Sequence, residues 1–184
     1  MSLNVELLEQ SFELVKPEAD SLMDSFYNNL FTDYPAAKPL FTHTDMEKQK
    51  QQLKGAIVMV VSNLRNPDVL TKALKGLGAR HVKYGALPEH YPLVGNSLLK
   101  ALGQHAGSAW TPEVKGAWVD AYGVITELML DGADYASQDI QLENSAASAP
   151  SAAPESTEGI SGKTAAGIIA GGSAALVLLL LILL

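Results

Sequence analysis

The sequence predicts an all-α protein, and two observations carry that prediction. Apolar residues recur at steps of three and four, and prolines and glycines fall between the periodic stretches. Helical segments are expected at 3–16, 18–33, 35–41, 46–65, 67–86, 91–107 and 112–138. Pro17, Pro35, Pro67 and Pro112 each suit the first turn of a segment, where a missing N–H does no harm, and Thr111 is placed to cap the last one. The second segment gathers Met23, Phe26, Tyr27, Leu30 and Phe31 on one face. The fourth carries the stripe Gln49, Leu53, Ile57, Val60 and Leu64, the fifth Leu70, Leu74, Leu77 and His81, and the last Val114, Trp118, Ala121, Ile125 and Leu128. Gly85, Gly103 and Gly107 lie near expected helix ends, and no internal repeat is present.

The 184 residues divide unevenly into a domain at 1–142, a Ser/Ala/Pro-rich linker at 143–164 and an apolar tail at 165–184. Both Trp and every Phe and Tyr fall in the first part, so the side chains able to build a core are concentrated there. The linker reads as a flexible tether with a reach of roughly 25 Å. The tail holds 20 residues without a charge, giving about 30 Å of helix, the thickness of a hydrocarbon core. It reads as a single-pass transmembrane anchor. Lys163, the basic residue beside it, favours a globular part on the cytoplasmic side, and no basic, apolar secretory signal opens the chain. Gly167 and Gly171 form a small-xxx-small pair able to pack two such spans into a homodimer, although pairs of this kind arise freely in Ala/Gly-rich helices.

A net charge of -7 argues against nucleic acid, which requires a basic face to displace phosphate counterions. The absence of cysteine removes disulfides, iron-sulfur clusters, thiolate metal sites and covalent haem attachment. Metalloprotease, phosphate-loop, nucleophile-elbow and EF-hand spacings are also absent. Three polar residues remain on apolar faces: His81, Tyr27 and Gln49. A polar ring buried without a partner costs a few kcal/mol, so each is either a satisfied core residue or part of a lined cavity. His43, His90 and His105 read as solvated surface residues. A planar metal cofactor such as haem needs one strong axial donor, which His81 can supply, while Gln49 and Tyr27 can donate hydrogen bonds to an oxygen ligand. Leu77, one turn before His81, is a suitable carbonyl acceptor for the second ring nitrogen.

Several segments resemble the single-domain bacterial globins related to the haem domain of flavohaemoglobins. They are Phe26-Tyr27-Asn28-Asn29-Leu30-Phe31, Pro39-Leu40-Phe41, Gln49 with Leu53, Arg80-His81, His90-Tyr91-Pro92-Leu93-Val94-Gly95, and Ala117-Trp118 with Ala121-Tyr122-Gly123-Val124-Ile125. The resemblance covers about residues 3 to 138 and implies a three-over-three globin fold binding haem b. It further implies His81 as proximal iron ligand, Phe41 packed on the haem face, Tyr27, Gln49 and Leu53 lining the distal pocket, and Leu77 and Tyr91 beside the cofactor. Two departures stand out. In the family a tyrosine near the proximal histidine pairs with a glutamate of the last helix; Tyr91 matches the tyrosine, but Ala133 stands at the glutamate position with Asp134 next to it. No flavin or nicotinamide reductase domain is expected after the globin part in these 184 residues.

The expected function is therefore reversible oxygen binding by a membrane-tethered haem protein. With electrons from a separate reductase, it extends to conversion of nitric oxide and oxygen to nitrate, with Tyr27 and Gln49 as the catalytic pair. The rival is a haem-based sensor or electron-transfer module, for which Lys50, Lys54 or Met46 would swing in as a sixth ligand. A haem-free helical adaptor is the remaining alternative.

Overall fold

The computed structural model describes residues 3–83 and 85–133, and all regular structure among them is helical. Six α-helices run α1 (Val5–Val15), α2 (Ala19–Asp33), α3 (Met46–Ser62), α4 (Pro67–Lys83), α5 (His90–Ala106) and α6 (Pro112–Gly132), with 3-10 turns at Lys16–Glu18, Pro35–Phe41 and Gly107–Ala109. Side chains capture the orphan N–H groups at three of the helix starts. Asn4 accepts from Leu7 N at 3.2 Å, Asp45 from Glu47 N and Lys48 N at 3.1 and 3.2 Å, and Thr111 from Val114 N at 3.3 Å. The Pro35–Phe41 stretch stays 3-10 because Pro35 and Pro39 each lack the N–H a longer helix needs.

Several helices end earlier than their apolar patterns suggest. The α4 pattern runs to residue 86, yet the helix stops at Lys83, because Gly85 adopts φ 77 and turns the chain back. Gly85 N–H then donates to Val82 O at 2.9 Å and Ala86 N–H to His81 O at 3.0 Å, the double closure of a Schellman motif. Helix α3 stops at Ser62 rather than residue 65, where the Asn63 amide takes the Met59 carbonyl at 2.8 Å. The expected continuation of the last helix to 138, the linker at 143–164 and the tail at 165–184 lie outside the described residues. Among those described, no helix is long and apolar enough to cross a membrane.

The helices share one core centred on Phe26, Leu30, Leu102 and Leu130, each essentially inaccessible. Helix α1 is tied to α6 by Trp118 Nε1–H, which donates to Ser11 Oγ at 2.9 Å while the Phe12 and Trp118 rings meet at 6.4 Å. Helix α2 meets α5 along a seam where Asn29 donates to Gln104 Oε1 at 2.9 Å. On α6 the buried face shifts from Val114, Trp118 and Ala121 to Tyr122, Thr126, Met129 and Leu130, leaving Ile125 and Leu128 only partly buried. A helix flanked by α1, α4 and α5 buries more than one stripe.

Helices α4 and α6 meet main chain to main chain. A β-carbon added at Gly78 would collide with the Met129 carbonyl, and one at Gly132 with the Lys75 carbonyl. Lys75 also pairs with Asp131 beside this contact. The helix that carries His81 is thus seated on α6 main chain to main chain.

Candidate functional site

His81 occupies the last full turn of α4, 8% exposed, with its carbonyl held by Ala86 N–H. Its ring is oriented by the bond the stripe predicts: Nδ1 lies 2.8 Å from Leu77 O. A carbonyl only accepts, so Nδ1 carries the ring proton and, in the neutral imidazole, Nε2 carries the lone pair. That tautomer is the one a metal-ligating histidine requires.

The ring faces a cavity of about 130 Å³ lined by α2, α3, α4, α5 and α6. His81 and Leu77 line it from α4, Leu53 from α3 and Tyr91 from α5, so four of the expected site residues share one cavity. Most of the remaining wall is hydrocarbon, from Ile57, Val61, Leu74, Val94, Leu98 and Met129. Tyr122, also on the wall, donates its hydroxyl to Tyr91 O at 2.7 Å, and its burial holds the phenol well above the ordinary range.

Tyr27, Gln49 and Phe41 gather beside this cavity and do not line it. Tyr27 is 3% exposed and packs edge-on against Phe26 at 4.7 Å and Phe41 at 5.8 Å between ring centroids. Phe26 lies on the cavity wall, as does Leu53, one turn beyond Gln49. Burial drives the Tyr27 phenol above its usual pKa, and the nearby Gln49 amide opposes that rise in part. Even so, neither Tyr27 Oη nor Gln49 Nε2 completes a hydrogen bond.

Four site features depart from the sequence reading. His90, expected at the surface, is half-buried and lines the cavity. His105, also expected in solvent, has a side chain 12% exposed and held between Ser25 Oγ at 2.9 Å and Glu18 Oε2 at 3.0 Å. Gln52 and Thr126 escape the pattern altogether, yet both face the cavity with a buried, unpartnered oxygen. A hint for Gln52 is its position one residue before Leu53 and three after Gln49, at the margin of the same face. At the position of the expected glutamate, Ala133 closes α6 through its backbone N–H, and Asp134 lies outside the described residues. The cations named as sixth ligands are engaged elsewhere: Lys50 with Asp24 at 2.7 Å and Glu47 at 2.8 Å, Lys54 with Asp20 at 2.6 Å.

This set of polar groups fits haem. Tyr27 Oη, Gln49 Nε2, Gln52 Oε1 and Thr126 Oγ1 are buried without partners in or beside one apolar cavity, a concentration that folded proteins rarely tolerate without a ligand to meet it. A bare ion held by protein alone takes three or more donors, and no cluster of three His, Asp or Glu able to do so occurs among the described residues. One correctly tautomerised imidazole suits a metal that brings its own equatorial ligands.

Comparison with known proteins agrees. The chain is 34% identical over 138 residues to a flavohemoprotein of Rhodopirellula baltica, covering 73% of this chain and 34% of that one. It is 30% identical over 128 residues to a flavohemoprotein of Bacillus subtilis, covering 68% and 32%. The chain therefore spans about a third of the length of these relatives. Among solved structures it superposes on a bacterial globin from Campylobacter jejuni with TM-score 0.62 and 28% identity, over 71% of this chain and 94% of that one. An engineered carbene transferase from Rhodothermus marinus, provisionally described as a nitric oxide dioxygenase, gives TM-score 0.63 and 25% identity over 71% and 90%. The Globin family model matches residues 24–129, more than half of the sequence, and with the six-helix fold around His81 it shows that the chain belongs to the globin family.

Proposed function

We infer that this globin holds haem b with His81 as its axial ligand and binds oxygen reversibly. The observation carrying the inference is the buried His81 ring, whose Nδ1 is held by the Leu77 carbonyl so that the lone pair of the neutral imidazole falls on Nε2. The three-over-three arrangement, α1, α3 and α4 over α2, α5 and α6, is supported by the packing of α4 on α6, α3 on α2 and α1 on both α5 and α6. Haem, when bound, supplies an iron that takes diatomic gases. The chain contributes the surroundings. Tyr27 O–H and Gln49 N–H are donors without partners, and each is worth about 1–3 kcal/mol toward a polar gas ligand in a dry pocket. Leu53 on the cavity wall and Phe41 against the Tyr27 ring make the surroundings apolar.

Given one electron from a separate reductase, the same pocket is suited to combine nitric oxide and oxygen into nitrate. The flavohemoprotein relatives support this reading. The uncharged run at 165–184 supports a C-terminal membrane anchor with the globin on the cytoplasmic side, and Gly167 and Gly171 supply a face on which two such anchors can pair.

The test is reconstitution of the full chain with haem, followed by stopped-flow mixing of the oxygenated protein with nitric oxide. A Soret band that His81→Gly abolishes and added imidazole restores is expected, with rapid appearance of nitrate. A Soret band indifferent to His81→Gly would remove the axial assignment, and release of oxygen without nitrate would remove the dioxygenase.

A further inference from the structure

The cavity that holds His81 carries a second histidine whose chemistry is equally constrained. His90 opens α5, and its Nδ1 accepts from Leu87 N–H at 3.2 Å while its own backbone N–H donates to Leu87 O at 3.0 Å. A backbone N–H can only donate, so Nδ1 is unprotonated and the neutral ring keeps its one proton on Nε2. His90 is therefore the mirror of His81. One presents a nitrogen lone pair, the other an N–H donor. Burial favours the neutral form as well, since desolvation lowers the His90 pKa and Glu89 only partly opposes it. Among the described residues Nε2 has no hydrogen-bond partner.

The position of this donor narrows what it can serve. Thr126 lies deep, 3% exposed, and Tyr122 is already bonded to Tyr91 O, whereas His90 and Gln52 are the partly exposed polar groups of the wall. They mark where the cavity meets water. A porphyrin carries two carboxylates that cannot be buried in hydrocarbon, so they emerge at a polar rim. The first turn of a long helix is a favourable place for that negative charge. We propose that His90 Nε2–H donates to a carboxylate on the rim of the cofactor, making His90 a cofactor-binding residue of this globin. The assignment rests on the haem reading above.

The test measures loss of haem from the full chain to excess apomyoglobin, with native haem and with its dimethyl ester, whose rim bears no charge. Wild-type protein should release the ester about tenfold faster than haem, the usual size of a charge-assisted hydrogen bond. His90→Leu should release haem about tenfold faster than wild type and the ester at an unchanged rate. His90→Gln, whose amide N–H can also donate, should fall between. If His90→Leu accelerates both cofactors equally, or neither, the carboxylate contact is wrong while the haem reading stands. Failure of the wild-type chain to develop a Soret band overturns the haem reading and this contact with it.

Discussion

A phenol hydroxyl left without a partner inside a protein costs about 1–3 kcal/mol, and Tyr27 carries that cost. Tyr27→Phe should therefore act in opposite directions on stability and function. Haem-free protein should gain about 1 kcal/mol in urea unfolding, whereas the oxygen dissociation rate of the loaded protein should rise about tenfold or more in stopped flow. An unchanged off-rate would separate Tyr27 from the gas ligand. The phenols also predict behaviour at high pH. Tyr27 and Tyr122 are held protonated above the ordinary value of 10, so above that pH the unfolded chain releases protons the folded chain retains. Stability should fall as pH rises past 10, by about 1.4 kcal/mol per pH unit for each tyrosine. Urea titrations between pH 9 and 12 will measure the slope, and Tyr27→Phe should halve it. His81, Tyr27 and Gln49 were legible because each breaks an otherwise apolar stripe. His90 and Thr126 were not: a polar residue at a helix start or on a second buried face looks like a solvent-facing one until neighbouring helices are in place.

Helix α4 owes its seat to the absence of side chains at Gly78 and Gly132. Gly78→Ala should lower stability by about 2 kcal/mol or more, because a methyl group has to displace the Met129 carbonyl. Gly55 of α3 offers the control, since nothing lies within 4 Å of its β-position. Gly55→Ala should raise stability by about 0.5–1 kcal/mol, the ordinary gain of a helix interior. Thermal unfolding of the two variants side by side checks both signs. The six helices were readable from the three-and-four spacing, and their proline starts from the ring's fixed geometry. Their ends were less so. Apolar periodicity continues past Lys83, and only the Gly85 turn and its two backbone bonds stop the helix. The Gly78 contact was also invisible, because a glycine within a helix is locally unfavourable and gains its purpose from a partner distant in sequence.

At the scale of the whole molecule, the proposal joins a haem-binding domain at 1–142 through a linker at 143–164 to the uncharged run at 165–184. The proposed anchor makes a simple prediction for cell fractions: the full chain should sediment with membranes and be released by detergent but not by high salt. A chain ended at residue 142 should stay in the supernatant with the same Soret spectrum. Recovery of the full chain in the supernatant would end the anchor proposal. The α4–α6 contact gives this layout a mechanical side. Helix α6 is the last of the described helices, and its final turn bears on the backbone of the helix that holds His81. A load applied at the end of α6 would reach the imidazole through two rods whose main chains touch, with no compressible side chain between them to absorb the strain.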